Sequence, residues 1–148
     1  YGFLGYYNKN RRSPFERYYV GGDGMTGYSS TYSTTAVKLR GYGNGSLTPE
    51  DPVTGRDAGN IYTRLSLELR YPLMLETTTT IYLLAFADAG NAWSEFNDFN
   101  PFDLKRSLGV GVRVFLPMLG LIGVDWGYGF DDPVNGKSQF HFVIGQQF

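Results

Sequence analysis

A regular alternation of apolar with polar or small side chains is the feature of this chain that most constrains its fold. It recurs in five segments of the second part of the sequence, and it is clearest from Arg106 to Leu116. Because successive side chains of a β-strand point to opposite faces, each segment is predicted to form a strand with one apolar face and one polar or glycine-rich face. In the clearest strand the faces carry Leu108, Val110, Val112, Val114 and Leu116 on one side and Ser107, Gly109, Gly111, Arg113 and Phe115 on the other.

The connections between these strands are short, and consecutive strands with short connections pair as an antiparallel meander. Pro72 is expected to end the first strand, because a proline cannot donate a hydrogen bond to the ladder. Residues 1–7 have the composition of the end of one further strand. The five predicted strands lie at 60–71, 78–90, 106–116, 121–130 and 139–148.

The segment before these strands, residues 8–58, is rich in Gly, Ser, Thr and Asn and has no sustained apolar period. A compact domain rarely keeps so long a loop unless the loop has a function. Its middle contains the motif Leu39-Arg40-Gly41-Tyr42. We interpret the loop as one that returns its arginine to the polar interior of a β-barrel formed by the strands.

An arginine in such an interior needs a carboxylate partner, and the polar faces of the strands offer two, Glu68 and Asp88. A guanidinium can form a bidentate, charge-assisted pair with a carboxylate. Phe86 lies two residues before Asp88 on the same face, where its ring can add a cation–π contact. These three side chains are therefore the predicted partners of Arg40.

Composition excludes several other classes of protein. No run of about eighteen apolar residues is present, so a transmembrane helix is excluded, whereas β-strands can span a bilayer with about 9–11 residues each. The net charge of −1 argues against a broad nucleic-acid-binding surface. With no cysteine and one histidine, we expect neither a disulfide framework nor a transition-metal site. Nothing positions a nucleophile, so we expect no catalytic residues, no enzyme activity and no cofactor.

Alternation alone does not decide which face of the sheet points inward. A soluble β-barrel binding module buries the apolar face, whereas an outer-membrane barrel turns that face to lipid and lines its lumen with the polar one. The apolar faces here are uninterrupted by charge, and the opposite faces are rich in glycine, which leaves space inside a lumen. These features favour the membrane barrel, and the soluble module remains the alternative.

Several stretches, in this order, resemble the carboxy-terminal barrel of the BamA family of outer-membrane protein assembly factors. The stretches are 13–22, 39–42, 84–93, the glycine-rich pair of strands around Pro117, and 140–148. The resemblance implies a sixteen-stranded transmembrane β-barrel in the cell outer membrane, preceded by POTRA domains that lie outside this chain. Residues 1–148 would form part of this barrel, with 1–7 as the end of a strand, 8–58 as the long sixth extracellular loop and 60–148 as the last five strands.

The resemblance also implies roles for individual residues. Residues Leu39 to Tyr42 match the loop motif inserted into the lumen, and Asp88, Glu68 and Phe86 match the partners of its arginine. The last strand matches the closing-strand signal of the family, with a glycine at the seam where the strand can bend from its neighbour. The residues of this signal and seam are Phe140, Phe142, Ile144, Gly145 and Phe148.

The function implied by the resemblance is the insertion of β-barrel proteins into the outer membrane without a cofactor. Its implied partners are nascent outer-membrane β-barrel proteins, accessory assembly lipoproteins, outer-membrane lipid and the protein's own POTRA domains, and nucleic acid is not among them. The alternative within the superfamily is an outer-membrane transporter, either TamA-like or of the two-partner secretion type. We also expect a chain with so few strands to self-associate through its open sheet edges.

Overall fold

The computed structural model describes residues 1–3, 6–7, 11–12, 16–23, 33–50, 55, 59–76, 79–131 and 138–145. The described part consists of ten β-strands and one short 3-10 turn, Phe96–Asp98. None of its helical structure is long and apolar enough to cross a membrane. In chain order the strands are β1 Gly2–Phe3, β2 Tyr6–Tyr7, β3 Arg11–Arg12, β4 Glu16–Val20, β5 Ser33–Val37, β6 Ile61–Leu75, β7 Thr80–Trp93, β8 Lys105–Leu116, β9 Gly120–Gly129 and β10 Ser138–Ile144.

Six of these strands form one sheet in the order β1-β6-β7-β8-β9-β10. All of its neighbouring strands pair antiparallel, and β6 to β10 follow one another in chain order. The predicted all-β antiparallel meander is therefore confirmed. Of the predicted terminal strand 1–7, Gly2–Phe3 pairs with β6, whereas Tyr6–Tyr7 pairs with Arg11–Arg12 in a separate two-stranded sheet.

The expectation that Pro72 ends the first long strand is wrong. β6 continues to Leu75, and Pro72 is opposite Tyr82 of β7, with a register shift between Pro72 and Met74. A bulge tolerates a residue that cannot donate to the ladder, and proline occurs in strands at such sites. The strand therefore continues through Pro72 with a local change of register and does not end there.

The two faces of the large sheet differ in what they bury. We call the face that contacts residues 38–44 the loop side and the opposite face the outer side. Leu67 on the outer side is 75% exposed, whereas Asp88 on the loop side is 2% exposed, which is the reverse of the arrangement in a soluble barrel. The outer side presents a band of exposed apolar residues, Leu65, Leu67, Leu69, Tyr71, Leu83, Leu108, Val110, Val112, Ile122, Val124, Trp126, Phe140, Phe142 and Ile144.

The apolar band ends near the connection between β7 and β8, where the chain covers the sheet. The ring of Trp93 packs edge-on against Phe99, with ring centroids 4.9 Å apart. The Asn91 side-chain amide donates to the main-chain oxygen of Asp103 at 2.8 Å. Both Trp93 and Asn91 are buried, so this end of the sheet is covered by the chain itself.

The segment predicted as an irregular loop, 8–58, contains strands of its own. β4 and β5 pair in parallel along five residues each, because aromatic and β-branched residues there favour extended backbone. Between them and the large sheet lies a small apolar core. Its buried members are Val20, Val37, Leu39, Tyr42, Leu47 and Ala92.

Candidate functional site

Arg40 is the centre of the contacts between the loop and the sheet. Its Nε donates to Asp88 Oδ2 at 2.8 Å, and its Nη2 donates to Asp88 Oδ1 at 3.0 Å. Both side chains are almost inaccessible to solvent. This is the planar, bidentate arrangement in which an arginine recognises a carboxylate most strongly. The alternation of β7 places Asp88 on the loop side, where Arg40 can reach it.

Two further predicted partners, Glu68 and Phe86, also contact the guanidinium. Arg40 Nη1 donates to Glu68 Oε2 at 2.8 Å, and Arg70 Nε donates to the other oxygen of that carboxylate at 2.6 Å. The guanidinium carbon of Arg40 lies 3.7 Å from the centre of the Phe86 ring. The structure thus brings Arg40 together with all three side chains that the sequence singled out.

Electrostatics favour the charged form of this arginine. Burial alone would lower the pKa of Arg40, but the hydrogen bonds and charges of Asp88 and then Glu68 outweigh burial and raise it. Ser66 adds a hydroxyl that donates to Asp88 Oδ1. A buried charge is stable only when it is paired and hydrogen-bonded in this way. The arrangement therefore works as an anchor for the loop.

The main chain of the motif is also held on both sides. Leu39 and Gly22 exchange two main-chain hydrogen bonds, at 3.1 and 3.2 Å. The Ser107 hydroxyl of β8 donates to the main-chain oxygen of Arg40. Gly41 has a φ of +87°, a left-handed conformation that glycine adopts without strain. Its amide donates to His141 Nε2 of β10 at 3.0 Å.

Two glycines of β9 make room for this close approach. A Cβ at Gly127 would lie 2.7 Å from the Gly41 nitrogen, and one at Gly129 would lie 2.7 Å from the Gly41 oxygen. The Tyr42 ring packs in the small apolar core, and its hydroxyl donates to the main-chain oxygen of Arg106 at 2.6 Å. The motif is therefore in direct contact with β8, β9 and β10 as well as with the two acidic strands.

A second ion pair, which the sequence reasoning missed, lies beside the first. Arg113 of β8 donates to both oxygens of Asp125 of β9, with Nη2 2.7 Å from Oδ2. Asp125 Oδ2 is also 3.8 Å from Arg40 Nη1 and 3.9 Å from Lys38 Nζ. Burial, and then the charge of Arg40, lower the pKa of Lys38, while Asp125 opposes the shift.

The sequence held a partial signal for these residues. Alternation along β8, β9 and β10 puts Arg113, Asp125 and His141 on the same faces as glycines of those strands, opposite the apolar residues. It assigned them no partners, because alternation gives a face and not a neighbour.

The residues of the closing strand lie elsewhere. Phe140, Phe142 and Ile144 are all exposed on the outer side. Gly145 has a φ of +114°, and its amide still donates to Leu121 of β9 at 2.9 Å. Phe148 lies outside the described residues. The closing strand therefore contributes apolar surface and, through His141, a hydrogen bond to the motif.

The acidic side chains of this arrangement are paired with basic ones. Within the described residues, no group of three or more His, Cys, Asp or Glu side chains could hold a metal ion. The carboxylates are instead saturated by arginines. What the geometry provides is attachment, since one buried arginine fixes a long loop against the inner face of a sheet.

The fold and the site together define a class of protein, a fragment of an antiparallel β-barrel with an apolar outer band and a loop arginine held inside by carboxylates. Comparison with protein families agrees with this class, since the whole chain, residues 1–148, matches the Omp85 superfamily domain. The chain belongs to the Omp85 superfamily, whose members are outer-membrane proteins. Membership fits outer-membrane β-barrel assembly or transport. Comparison with curated proteins gave no match.

Proposed function

We propose that this chain is the carboxy-terminal part of a BamA-type barrel, the component of the barrel assembly machinery that inserts β-barrel proteins into the outer membrane. The observation that carries the proposal is the burial of Arg40 against Asp88, Glu68 and Phe86. A loop anchored in this way would let the sheet keep one shape while its closing edge exchanges partners. Residues 8–58 would be the sixth extracellular loop of a sixteen-stranded barrel.

The edge of the sheet supports an assembly role. β10 is the last strand of the sheet, and in the proposed barrel it would close the seam with a strand outside this chain. If that seam opened, the main-chain donors and acceptors of β10 could template an added strand. Nascent outer-membrane β-barrel proteins would pair with such an edge by β-augmentation. The same open edges would let the isolated chain self-associate.

The outer side supports a location in the outer membrane. Its exposed apolar band suits contact with outer-membrane lipid, since residues such as Leu67 and Phe140 would otherwise face water. The protein would act without enzyme chemistry and without a cofactor, using its edge strand and the surrounding bilayer. Its further partners would be accessory assembly lipoproteins and its own POTRA domains.

The proposal is tested by measuring client insertion in the intact protein reconstituted in lipid vesicles. We expect Arg40→Ala to slow the folding of an added outer-membrane barrel protein at least tenfold, because the loop loses its anchor. Arg106→Ala is the matched control, since Arg106 is an exposed arginine paired with Asp131, and it should leave the rate unchanged.

A different outcome would identify a transporter. If the wild-type protein moves a soluble polypeptide across the vesicle membrane and does not accelerate the folding of barrel clients, the assembly proposal is wrong and a transport function replaces it. Equal insertion rates for wild type and Arg40→Ala would show that insertion does not depend on the anchoring of the loop by Arg40.

A further inference from the structure

We propose that His141 is a positioning residue that fastens the loop motif to the closing strand only while its imidazole is neutral, so that protonation releases that attachment. The inference rests on the proposed function, and it concerns how the loop and β10 are coupled. It makes one end of the loop's attachment sensitive to pH and leaves the arginine anchor at the other end unaffected.

The geometry fixes the protonation state of the histidine. The Gly41 amide donates to His141 Nε2 at 3.0 Å, across a sequence separation of 100 residues. A ring nitrogen accepts a hydrogen bond only through a free lone pair, so Nε2 carries no proton and the neutral ring carries its proton on Nδ1. His141 is 4% exposed, which leaves water little room to replace the bond.

Protonation would turn this acceptor into a donor. Both ring nitrogens of an imidazolium carry protons, so Nε2–H would point at the Gly41 N–H and the bond would be lost. A buried amide without a partner is unfavourable, and its cheapest remedy is for the motif to move away from β10. The alternative remedy, rotation of the histidine, gives up the same bond.

The charged groups around His141 do not rescue the bond. Asp125 of β9 is directly opposite His141 in the register of the two strands, but both of its oxygens already accept hydrogen bonds from Arg113 of β8. The loop contributes Asp23, Lys38 and Arg40 to the surroundings of the imidazole. A proton on His141 would thus lie among charges of both signs, the anion Asp23 and the cations Lys38 and Arg40, and none of them restores an acceptor for the Gly41 amide.

The position of the contact gives it a consequence. Arg40 ties the motif to β6 and β7, whereas the next residue, Gly41, ties it to β10. β10 is the last strand of the sheet, and in the proposed barrel it would be the closing strand. Loss of the His141 bond would therefore weaken the attachment of the closing strand to the motif while the arginine anchor holds, at the strand where a barrel that exchanges edge partners would need freedom.

The test uses the intact protein in lipid vesicles with ¹⁵N-labelled histidine, of which this chain has one. Nitrogen chemical shifts report the protonation of His141, and the hydrogen-exchange protection of the Gly41 amide reports the attachment, both from pH 8.5 to about pH 4.5. His141→Gln is the matched variant, because its Oε1 can accept at a similar reach and does not titrate. His141→Phe keeps a ring and removes the acceptor.

We expect wild-type protection at Gly41 to fall about tenfold as the imidazole protonates, protection in His141→Gln to stay constant, and protection in His141→Phe to be low at every pH. The proposal is overturned if wild type and His141→Gln show the same pH profile, or if His141→Phe is as protected as wild type. Client insertion is measured on the same samples. Intact pH-dependent release without any insertion activity would refute the proposed function and leave the histidine attachment in place.

Discussion

Removal of the Arg40–Asp88 pair is the perturbation whose result the structure specifies most closely. Arg40→Ala leaves the Asp88 carboxylate buried, with the Ser66 hydroxyl still bound to it and its bidentate cation gone. Breaking a buried ion pair by deleting one partner costs about 3–5 kcal/mol. Asp88→Ala leaves Arg40 with Glu68 at 2.8 Å and Asp125 at 3.8 Å, so we expect it to cost less, about 2–3 kcal/mol.

The double variant removes both charges and leaves neither buried without a partner. We therefore expect it to cost about as much as Arg40→Ala alone, which gives a coupling of about 2–3 kcal/mol between the two residues. The quantity to measure is the free energy of loop opening, from hydrogen exchange at the Gly41 amide, which bonds to His141 across the interface between loop and sheet. The measurement is made on the intact protein in lipid vesicles.

An exposed ion pair serves as the control, because it shows whether the measured coupling depends on burial of the two charges. Arg106 and Asp131 form an exposed ion pair on the same molecule, and exposed pairs contribute little, so alanine substitutions there should show no resolvable coupling. Effects of Arg40→Ala and Asp88→Ala that add to within about 0.5 kcal/mol would refute the reasoning, because they would mean that the two side chains do not form a buried pair in the membrane.

Two further substitutions probe the space and the bonds around the motif. Gly127→Val should displace the loop and reproduce the insertion defect of Arg40→Ala, because a side chain there meets the main chain of Gly41. The control is Ala85→Val, on the exposed outer side of β7. A normal insertion rate in Gly127→Val would contradict the packing described. Tyr42→Phe keeps the buried ring and removes the hydroxyl that donates to the main-chain oxygen of Arg106 at 2.6 Å. It should therefore lower the free energy of loop opening by about 1 kcal/mol in the same hydrogen-exchange assay. No change would mean that water satisfies this main-chain oxygen equally well.

The faces of the strands could be predicted from the sequence, whereas the pairs on those faces could not. A period of two assigns every residue to one side, and it placed Asp88, Arg113, Asp125 and His141 correctly together. The ion pair between Arg113 and Asp125 depends on register, because Arg113 is opposite Gly123 and Asp125 is opposite Gly111. The two charged side chains therefore meet diagonally across β8 and β9, a relation that is absent from either strand alone.

The contacts of Arg40 were easier to predict, because a buried arginine requires an acidic partner. A lone arginine inside a polar barrel must find a carboxylate, and the first two long strands offered few at inward positions. The strands within 8–58 were missed for the opposite reason. Val20 and Val37 pack on the buried motif and on each other's strand, so their extended conformation depends on contacts distant in sequence and produces no local alternation.

The glycines of β8 and β9 show that the sheet and the loop depend on each other for packing. Three of them face large side chains of neighbouring strands: Gly109 is opposite Phe86, and a Cβ at Gly111 or Gly123 would overlap Asp125 or Arg113.

Two others, Gly127 and Gly129, face the motif itself at Gly41 and Tyr42. Glycine weakens a strand, and a strand with so many of them gains stability only when something fills the space they leave. Gly127 and Gly129 would leave an unfilled space on the loop side of β9 if the loop were absent. We therefore expect the loop side of β9 to depend on the loop for its packing, just as the loop depends on Arg40 for its attachment.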